Sequence, residues 1–262
     1  MDRVVDVYGG SGAFCLTLAY QPRHLVYNDI HADLYTLFTV LRDPVLRARL
    51  CEAIALTLWS RAEYLSCTAI GGSCPPTNDP VEQARRFLVR SWQGQKGDQS
   101  GRTGWRNKGS KHGRAGTYEV WTQLPDRLAV VAERLRHAEI ECLPALTIIG
   151  RYATPETLLY CDPPYVRATV HGTRQALYQY EMTEADHHDL LTVLDAHPGP
   201  VMLSGYQNDV YAARLPHWHM VSTAARGESN ARRMECLWLN AACVTRLDTQ
   251  QLRLELRECH LA

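Results

Sequence analysis

The sequence lacks several features that would assign a protein to a specialised class. No apolar run approaches the roughly 18 residues of a membrane-spanning helix. No Cys-x-x-Cys pair occurs, and the nine cysteines are an odd number in a long chain, so neither a disulfide framework nor a zinc site is indicated. The formal net charge is zero, so a nucleic-acid partner would need a local basic surface. We therefore expect a globular protein of a reducing, cytoplasmic compartment, with no membrane partner and no metal ion.

Basic residues are concentrated in one stretch, residues 93–116. It contains all three lysines of the chain, seven glycines and a single acid. A basic, glycine-rich loop with an aromatic ring suits phosphate contacts and a stacked or inserted base, whereas the alternative is a solvated surface loop. Because the rest of the chain is not basic, we favour contact with nucleic acid. The candidate residues are Lys96, Arg102, Trp105, Arg106, Lys108, Lys111 and Arg114.

A glycine-rich turn lies near the start of the chain. Residues 4–8 predict a short buried strand, Gly9-Gly10-Ser11-Gly12 a turn, and residues 13–19 a buried helix. This order is typical of the opening of a nucleotide- or cofactor-binding βαβ unit, because glycines let the backbone approach a ligand and the helix N-terminus offers free N–H groups. Cys15 stands where a pyrophosphate-binding turn has its third glycine, which favours a cofactor without a pyrophosphate.

An acid follows the second predicted strand, residues 24–27. Asp29 stands 19 residues after Gly10, a spacing typical of the carboxylate that binds ribose hydroxyls. The alternative is an N-cap for the predicted helix 31–41, and one side chain can serve both purposes at a strand edge. The pattern fits a nicotinamide enzyme as well as an S-adenosylmethionine enzyme, and only the missing third glycine favours the second.

The stretch Cys161-Asp162-Pro163-Pro164-Tyr165 follows an apolar run, residues 157–160, that predicts a buried strand. Prolines cannot donate ladder hydrogen bonds, so the strand ends there and presents Asp162 at its carboxyl end, where open α/β sheets bind ligands. A carboxylate, a rigid turn with free carbonyls and an aromatic face suit the binding of a planar base with an exocyclic amine. The alternative is an ordinary loop or a polyproline contact segment.

Strands alternate with helices along most of the chain, which predicts an α/β fold with a mostly parallel, Rossmann-like doubly wound sheet. An antiparallel pair, residues 217–222 and 235–240, is expected at its C-terminal edge. Residues 46–120 interrupt the alternation and predict an inserted, mainly helical domain. The other predicted elements are helices at 44–65, 79–92, 121–137, 183–195 and 208–214 and strands at 139–143 and 201–204.

Together these motifs resemble the Dam-like DNA adenine-N6 methyltransferases (the D12 class) of bacteria and phages. The family order is a glycine-rich cofactor motif, an inserted target-recognition domain and then Asp-Pro-Pro-Tyr, which corresponds here to residues 6–12, 46–120 and 162–165. Residues 28–34 are similar to the acidic segment that follows the second strand in this family. The resemblance covers nearly the whole chain.

The resemblance implies a class I S-adenosylmethionine-dependent methyltransferase fold, with residues 1–45 and 121–262 as the catalytic domain and residues 46–120 as the target-recognition domain. It implies a monomeric, site-specific enzyme that transfers a methyl group from S-adenosyl-L-methionine to adenine N6 of a base flipped out of double-stranded DNA. The implied catalytic residues are Asp162, Pro163, Pro164 and Tyr165. The implied cofactor-binding residues are Asp6, Tyr8, Gly10, Ser11, Gly12, Asp29, Ile30 and Asp162.

The sequence departs from the family pattern in three places. Val7-Tyr8 stands where many members have Pro-Phe, and Pro144 occupies a position that is often acidic. The aromatic-x-Gly-Gly-Lys segment that normally precedes the glycine-rich motif, and helps to hold the cofactor, does not occur before Asp6. Two alternatives therefore stay open. One is a non-catalytic DNA-binding relative with an impaired cofactor site, and the other is a cytosine-N4 DNA methyltransferase, which more often has Ser in place of Asp162.

Overall fold

The computed structural model describes residues 2–68, 75–95, 104–106, 117–166, 182–226 and 232–246. Five of the candidate nucleic-acid-binding residues lie outside these ranges, namely Lys96, Arg102, Lys108, Lys111 and Arg114. Within the ranges, no helix is long and apolar enough to cross a membrane.

The strands are β1 (Arg3–Asp6), β2 (His24–Asn28), β3 (Ala138–Glu141), β4 (Thr157–Cys161), β5 (Val201–Tyr206), β6 (His219–Arg226) and β7 (Arg232–Leu239). Their order in the sheet is β3-β2-β1-β4-β5-β7-β6. β1 pairs in parallel with both β2 and β4, and β4 pairs in parallel with β5. β7 is antiparallel to β5 and to β6. The predictions of an α/β fold, of a mostly parallel sheet and of a C-terminal antiparallel pair are confirmed.

The helices of the first half are α1 (Ala13–Thr17), α2 (Ala32–Arg42), α3 (Pro44–Leu56), α4 (Arg61–Ser66), α5 (Pro80–Gln93), α6 (Thr117–Thr122) and α7 (Leu124–Arg134). The second half contains α8 (Ala145–Arg151), α9 (Glu184–Asp195), α10 (Asp209–Arg214) and α11 (Ala241–Arg246). The sequence did not predict α8 or α11.

The chain divides into two compact units. The first comprises residues 1–30, 143–173 and 182–262 and contains six of the seven described strands; we call it the sheet unit. The second comprises residues 31–142 and 174–181, contains β3 and most of the helices of the first half, and is called the helical unit. The stretch predicted as an insertion, residues 46–120, falls inside the helical unit.

The central strands of the sheet unit are almost continuously apolar because they are covered on both faces. Val4 and Val5 of β1 and Leu159 of β4 have no exposed surface. Leu190 and Leu191 of α9 are equally buried and form one core cluster with Val5 and Leu159. This packing fixes the strands, and therefore also the residues that follow their carboxyl ends.

Local capping accounts for where several helices begin. The prediction of one continuous helix over residues 44–65 is wrong, because α3 ends at Leu56 and Ser60 starts α4 by accepting a hydrogen bond from the Glu63 N–H (3.0 Å). The predicted N-cap at Asp79 is confirmed, since its carboxylate accepts from the Val81 N–H (3.0 Å). The predicted helix 183–195 is confirmed as α9, which Thr183 opens with a capping box.

A buried ion pair joins two helices of the helical unit. Arg90 of α5 is fully buried, and its Nη2 lies 2.8 Å from Oδ2 of Asp33 on α2. The other carboxylate oxygen of Asp33 accepts a hydrogen bond from Gln83 Nε2 (2.9 Å). Because a buried charge without its partner is costly, this pair ties α5 to α2 in one arrangement.

Candidate active site

Three carboxylates gather at the carboxyl ends of the parallel strands in the sheet unit. Asp6 ends β1 and lies in register with Tyr27 on β2 and Tyr160 on β4. Asp29 is the first residue after β2, and Asp162 is the first residue after β4. The charges of Asp29 and Asp162 both raise the pKa of Asp6. The strand edge expected from the sequence is therefore where these residues meet.

The glycine-rich turn is held by backbone hydrogen bonds and by Asp29. Gly10 and Gly12 have φ values of +48° and +75°, a region that side chains with a Cβ rarely adopt. The Gly9 N–H donates to the Asn28 carbonyl (2.8 Å), and the Gly12 N–H donates to the Gly9 carbonyl (2.7 Å). Oδ2 of Asp29 accepts from the Gly10 N–H at 2.9 Å.

The N-cap of α2 is His31 and not Asp29. His31 Nδ1 accepts from the Asp33 N–H at 3.2 Å, and the Leu34 N–H donates to the His31 carbonyl at 3.0 Å. Of the two roles that the sequence left open for Asp29, capping is therefore taken by another residue. Asp29 instead braces the turn through its hydrogen bond to the Gly10 N–H.

The Tyr27 side chain packs against the glycine-rich turn. Its ring is fully buried, and its hydroxyl donates to the Gly10 carbonyl at 2.7 Å. A Cβ placed on Gly9 would overlap three atoms of this ring. Because the ring is fixed at both ends, it cannot move aside, and position 9 requires glycine for close packing.

We expect Gly9→Ala to lower the free energy of unfolding by about 1–3 kcal/mol, the usual cost of overpacking a rigid interior. The matched control is Gly150→Ala in α8, where a Cβ would meet nothing within 4 Å. That control should be neutral or stabilising by up to about 1 kcal/mol, because alanine is the better helix former. Urea denaturation followed by circular dichroism measures both, and equal effects of the two substitutions would contradict the packing argument.

Asn28, the last residue of β2, anchors the end of this strand through side-chain hydrogen bonds. The residue is buried, and its Nδ2 donates to the carbonyls of Val7 (2.9 Å) and Leu143 (3.1 Å). Its Oδ1 accepts from the Leu143 N–H at 2.9 Å. The partners are 21 and 115 residues away in sequence, so local patterns gave no indication of this role. These bonds fix the backbone immediately before Asp29.

Asp6 is a buried carboxyl group with an unused acceptor. Its side chain is 1% exposed, and Oδ2 accepts a hydrogen bond from the Cys15 thiol at 3.3 Å. Within the part of the chain that the structure describes, Oδ1 has no hydrogen-bond partner. Burial raises the pKa of Asp6 to about 7; the Cys15 hydrogen bond lowers it, while Asp162 and Asp29 raise it further. A buried, unsatisfied carboxylate oxygen at a strand edge suits a cationic or hydrogen-bond-donating ligand.

The pKa of the Asp162 carboxyl depends on its burial and on two neighbouring hydroxyl groups. Loss of solvation raises the pKa of its carboxyl, and side-chain hydrogen bonds from Ser204 and Tyr165 oppose that rise. Although the residue keeps an exposed surface, the surrounding protein displaces enough water to disfavour its charge. Ser204 lies on β5, the next strand of the sheet. Sequence reasoning missed Ser204 as a partner, since only the pairing of β4 with β5 brings it there.

Aromatic rings flank the carboxylates. The Tyr165 ring lies 4.4 Å from that of Tyr206, with an interplanar angle of 49°. Phe14 of α1 stacks on Tyr160 of β4 with ring centroids 3.9 Å apart and planes 5° from parallel. Such faces favour planar ligands. Pro163 is buried and Pro164 is half-buried.

The other predicted cofactor residues differ in exposure. Tyr8 is half-buried, and burial raises the pKa of its hydroxyl, which stays protonated at neutral pH. Ser11 is exposed at the tip of the turn, whereas Gly12 is buried. Ile30 is 41% exposed, unusually open for a large apolar side chain. An exposed isoleucine beside the Asp29 carboxylate is suited to cover the flat face of a nucleoside.

Two of the candidate nucleic-acid-binding residues belong to the helical unit. Trp105 Nε1 donates to Oε1 of the buried Gln93 (3.3 Å), and the Arg61 guanidinium lies 5.2 Å from the Trp105 ring centroid. The Arg106 N–H donates to the Gln93 carbonyl (2.7 Å), and the Arg106 carbonyl accepts from Trp59 Nε1 (3.2 Å). The Trp105 indole is thus engaged inside the unit, an attachment that sequence reasoning did not foresee.

Comparison with known protein families assigns the chain. A sequence profile described as D12 class N6 adenine-specific DNA methyltransferase matches residues 1–222. The chain belongs to this family. Comparison with curated proteins gave no match.

The match to the D12 class methyltransferases includes every part of the site. The glycine-rich turn, Asp29 and the Asp162–Tyr165 stretch all lie within residues 1–222. The family membership confirms the resemblance seen in the sequence and supports adenine methylation of DNA by this chain. A methyltransferase of this family acts on adenine N6, an exocyclic amine.

Proposed function

We propose that this D12 class methyltransferase transfers a methyl group from S-adenosyl-L-methionine to N6 of an adenine that is flipped out of double-stranded DNA at a specific site. The observation that carries the proposal is the position of Asp162, Asp6 and Asp29 at the carboxyl ends of the adjacent parallel strands β4, β1 and β2. This arrangement supplies an amine acceptor next to a group of acids suited to a cationic cofactor.

The residues around the turn fit S-adenosylmethionine. When bound, this cofactor supplies a methyl group on a positively charged sulfonium, which is a good leaving group. Asp6 would face the cationic part of the cofactor with its unused Oδ1, and Asp29 would bind the ribose hydroxyls. Gly10 and Gly12 leave the backbone accessible, with Tyr8 and Ser11 beside them and Ile30 against the base.

The catalytic contribution of the chain is to orient and activate an amine. The N6 nitrogen of adenine is a poor nucleophile because its lone pair is conjugated with the ring. The Asp162 carboxylate and the Pro163 carbonyl would each accept a hydrogen bond from one N6 proton, which makes the lone pair available to the methyl group. Pro163 and Pro164 make this turn rigid, so the acceptors need little rearrangement during the reaction.

Tyr165 would stack on the flipped base. Flipping costs roughly a few kcal/mol of lost stacking and pairing, and stacking on an aromatic side chain returns about 1–3 kcal/mol per base. The contact of Tyr165 with Tyr206 supports its ring from one side. Solvent exclusion by these rings strengthens the hydrogen bonds to N6.

The sheet unit then represents a class I methyltransferase fold, and we assign recognition of the DNA target to the predicted insertion, residues 46–120. The predicted DNA contacts are the described Trp105 and Arg106, together with Lys96, Arg102, Lys108, Lys111 and Arg114 from outside the described ranges. We propose that the enzyme acts as a monomer.

Calorimetric titration of the purified 262-residue chain with S-adenosylmethionine tests the cofactor assignment. We expect saturable one-site binding that weakens at least tenfold in Asp6→Ala and stays unchanged in the control Asp189→Ala, an exposed carboxylate on α9. Absence of binding by the wild-type chain would reject the methyltransferase proposal and favour a non-catalytic DNA-binding protein. If the wild-type chain binds the cofactor, sequencing of N6-methyladenine in DNA from a methylation-free host that expresses the protein would give the target site.

A further inference from the structure

An arginine outside the predicted basic stretch is presented at the surface of the helical unit. Arg61 is the first residue of α4 and is exposed. Its guanidinium carbon lies over the ring of Trp105, 5.2 Å from the ring centroid. Among the residues that the structure describes, the guanidinium of Arg61 has no hydrogen bond and no salt bridge. Its N–H groups are therefore unused by the described protein, while its cationic carbon lies over an indole.

The charge of Arg61 does not serve the stability of α4. Cations stabilise a helix at its C-terminal end, and Arg61 stands at the opposite end. Glu63, the one acid of α4, is paired with Arg85, whose Nη1 lies 2.5 Å from Glu63 Oε1. Arg85 and Arg86 also share the carboxylate of Glu82. Arg61 differs from these two arginines, since no acid of the described ranges compensates its charge.

The Trp105 indole is a fixed support for Arg61. Its Nε1 donates to Oε1 of Gln93, a fully buried side chain, at 3.3 Å. The same Oε1 accepts from the Ser60 N–H (3.2 Å), and Gln93 Nε2 donates to the Leu58 carbonyl (3.0 Å). Gln93 therefore joins the indole of Trp105 to the backbone that immediately precedes Arg61.

Backbone pairing holds the segment of Trp105 against the end of α5. The Gln95 N–H donates to the Gly104 carbonyl (2.9 Å), and the Arg106 N–H donates to the Gln93 carbonyl (2.7 Å). These bonds lie on either side of Trp105 in the chain, and the indole N–H is bonded as well. Insertion of this ring between DNA bases would break several of these contacts, whereas support of a guanidinium breaks none.

We propose that Arg61 binds a phosphate group of the DNA backbone, and that Trp105 supports this contact by holding the guanidinium in place. This inference rests on the proposed function, in which residues 46–120 recognise the DNA target. An aromatic ring attracts the guanidinium through its face and leaves the N–H groups along the guanidinium edge free. Those N–H groups match the oxygens of a phosphate in pairs. Such a contact fixes the position of the protein on the duplex and carries no sequence information.

Arg61→Ala tests the phosphate contact in gel-shift titrations of a mixed-sequence DNA duplex over a range of salt concentrations. We expect affinity at low salt to fall about 5- to 30-fold, and the slope of log K against log salt concentration to lose about 0.9 in magnitude, the value for one phosphate contact. Arg61→Lys keeps the charge but not the planar donor edge, so it should restore the slope and only part of the affinity. The matched control is Arg136→Ala, which removes an exposed arginine of the same unit that is paired with Glu133 (3.6 Å). It should change neither quantity.

Trp105→Leu tests the supporting role. We expect a loss of DNA affinity smaller than that of Arg61→Ala, and no further loss when Trp105→Leu is added to Arg61→Ala, because the two side chains act as one unit. Trp105→Phe keeps an aromatic face and should retain most of the affinity. Circular dichroism reports whether each variant is folded. Additive losses in the double variant would show that Trp105 acts on DNA without Arg61 and would overturn the supporting role.

The outcomes separate this inference from the proposed function. Wild-type affinity in Arg61→Ala, or a weakened affinity with an unchanged salt slope, would overturn the phosphate contact and leave the proposed methyl transfer intact. A wild-type chain that binds DNA with the expected dependence on Arg61 but transfers no methyl group would reject the proposed activity and support the inference. Absence of DNA binding by the wild-type chain would reject both.

Discussion

Asp162→Ala is expected to reduce the single-turnover rate of methyl transfer by roughly 10³-fold or more, because the variant loses the acceptor that orients and activates the amine. Asp162→Asn should fall by about 10²- to 10³-fold. The amide keeps the shape of the carboxyl group, but it carries no charge and offers a single acceptor oxygen. DNA binding should change little in either variant, since we assign the phosphate contacts, which dominate affinity, to the insertion at residues 46–120.

The measurement is transfer of a radiolabelled methyl group to DNA with enzyme in excess, accompanied by a gel-shift titration for DNA affinity. Asp189→Ala is the matched control, because it removes an exposed carboxylate from the surface of α9. Its rate should equal that of the wild type. Full activity of Asp162→Ala, or a parallel loss of DNA binding and of rate, would contradict the role given to Asp162.

Asp6→Asn is expected to stabilise the free protein while it weakens cofactor binding. The pKa of Asp6 is raised from 3.8 to about 7 in the folded state. A group whose folded pKa is raised contributes stability that is fully present below its unfolded pKa and is lost as pH rises through its folded pKa. The free energy of unfolding of the wild type should therefore fall by up to about 4 kcal/mol between about pH 4 and pH 8. The Asn variant should show no such fall, because its amide does not titrate.

Urea denaturation of both proteins at about pH 5 and about pH 8 measures this difference. The stability advantage of Asp6→Asn should grow with pH, and a constant difference would show that Asp6 does not titrate in this window. Cofactor binding should have the opposite dependence. A cationic ligand favours the ionised carboxyl group, so affinity for S-adenosylmethionine should rise as pH increases toward about 7, and the rise should be absent in Asp6→Asn.

The short contiguous motifs of the candidate site could be located from the sequence. The turn at Gly9–Gly12, the acid at Asp29 and the Asp162–Tyr165 stretch each follow a buried strand, and the rule that parallel strands present their carboxyl ends at one edge was enough to place them together. The α/β fold followed from the alternation of strand and helix patterns for the same reason.

The residues that sequence reasoning missed act across long separations. Asn28 bonds to Leu143 across 115 positions, and Ser204 reaches Asp162 only because β4 pairs with β5. The Gln93 side chain is an ordinary helical residue by pattern, yet it holds Trp105 and the start of α4. The prediction of one helix over residues 44–65 is wrong for a local reason. The apolar residues keep a helical spacing through this stretch, but Ser60 is the N-cap of a separate helix, α4. Helix α8 spans only seven residues and follows Pro144 without a side-chain cap, so its pattern was too short to recognise.

The central claim is that this chain methylates adenine N6 in DNA, and mass spectrometry of nucleosides tests it most directly. The purified protein would be incubated with S-adenosylmethionine and DNA from a methylation-free host, and the DNA would then be hydrolysed. The account predicts N6-methyldeoxyadenosine with the wild type and its absence with Asp162→Ala. Formation of N4-methyldeoxycytidine, or of no methylated nucleoside by the wild type, would contradict it.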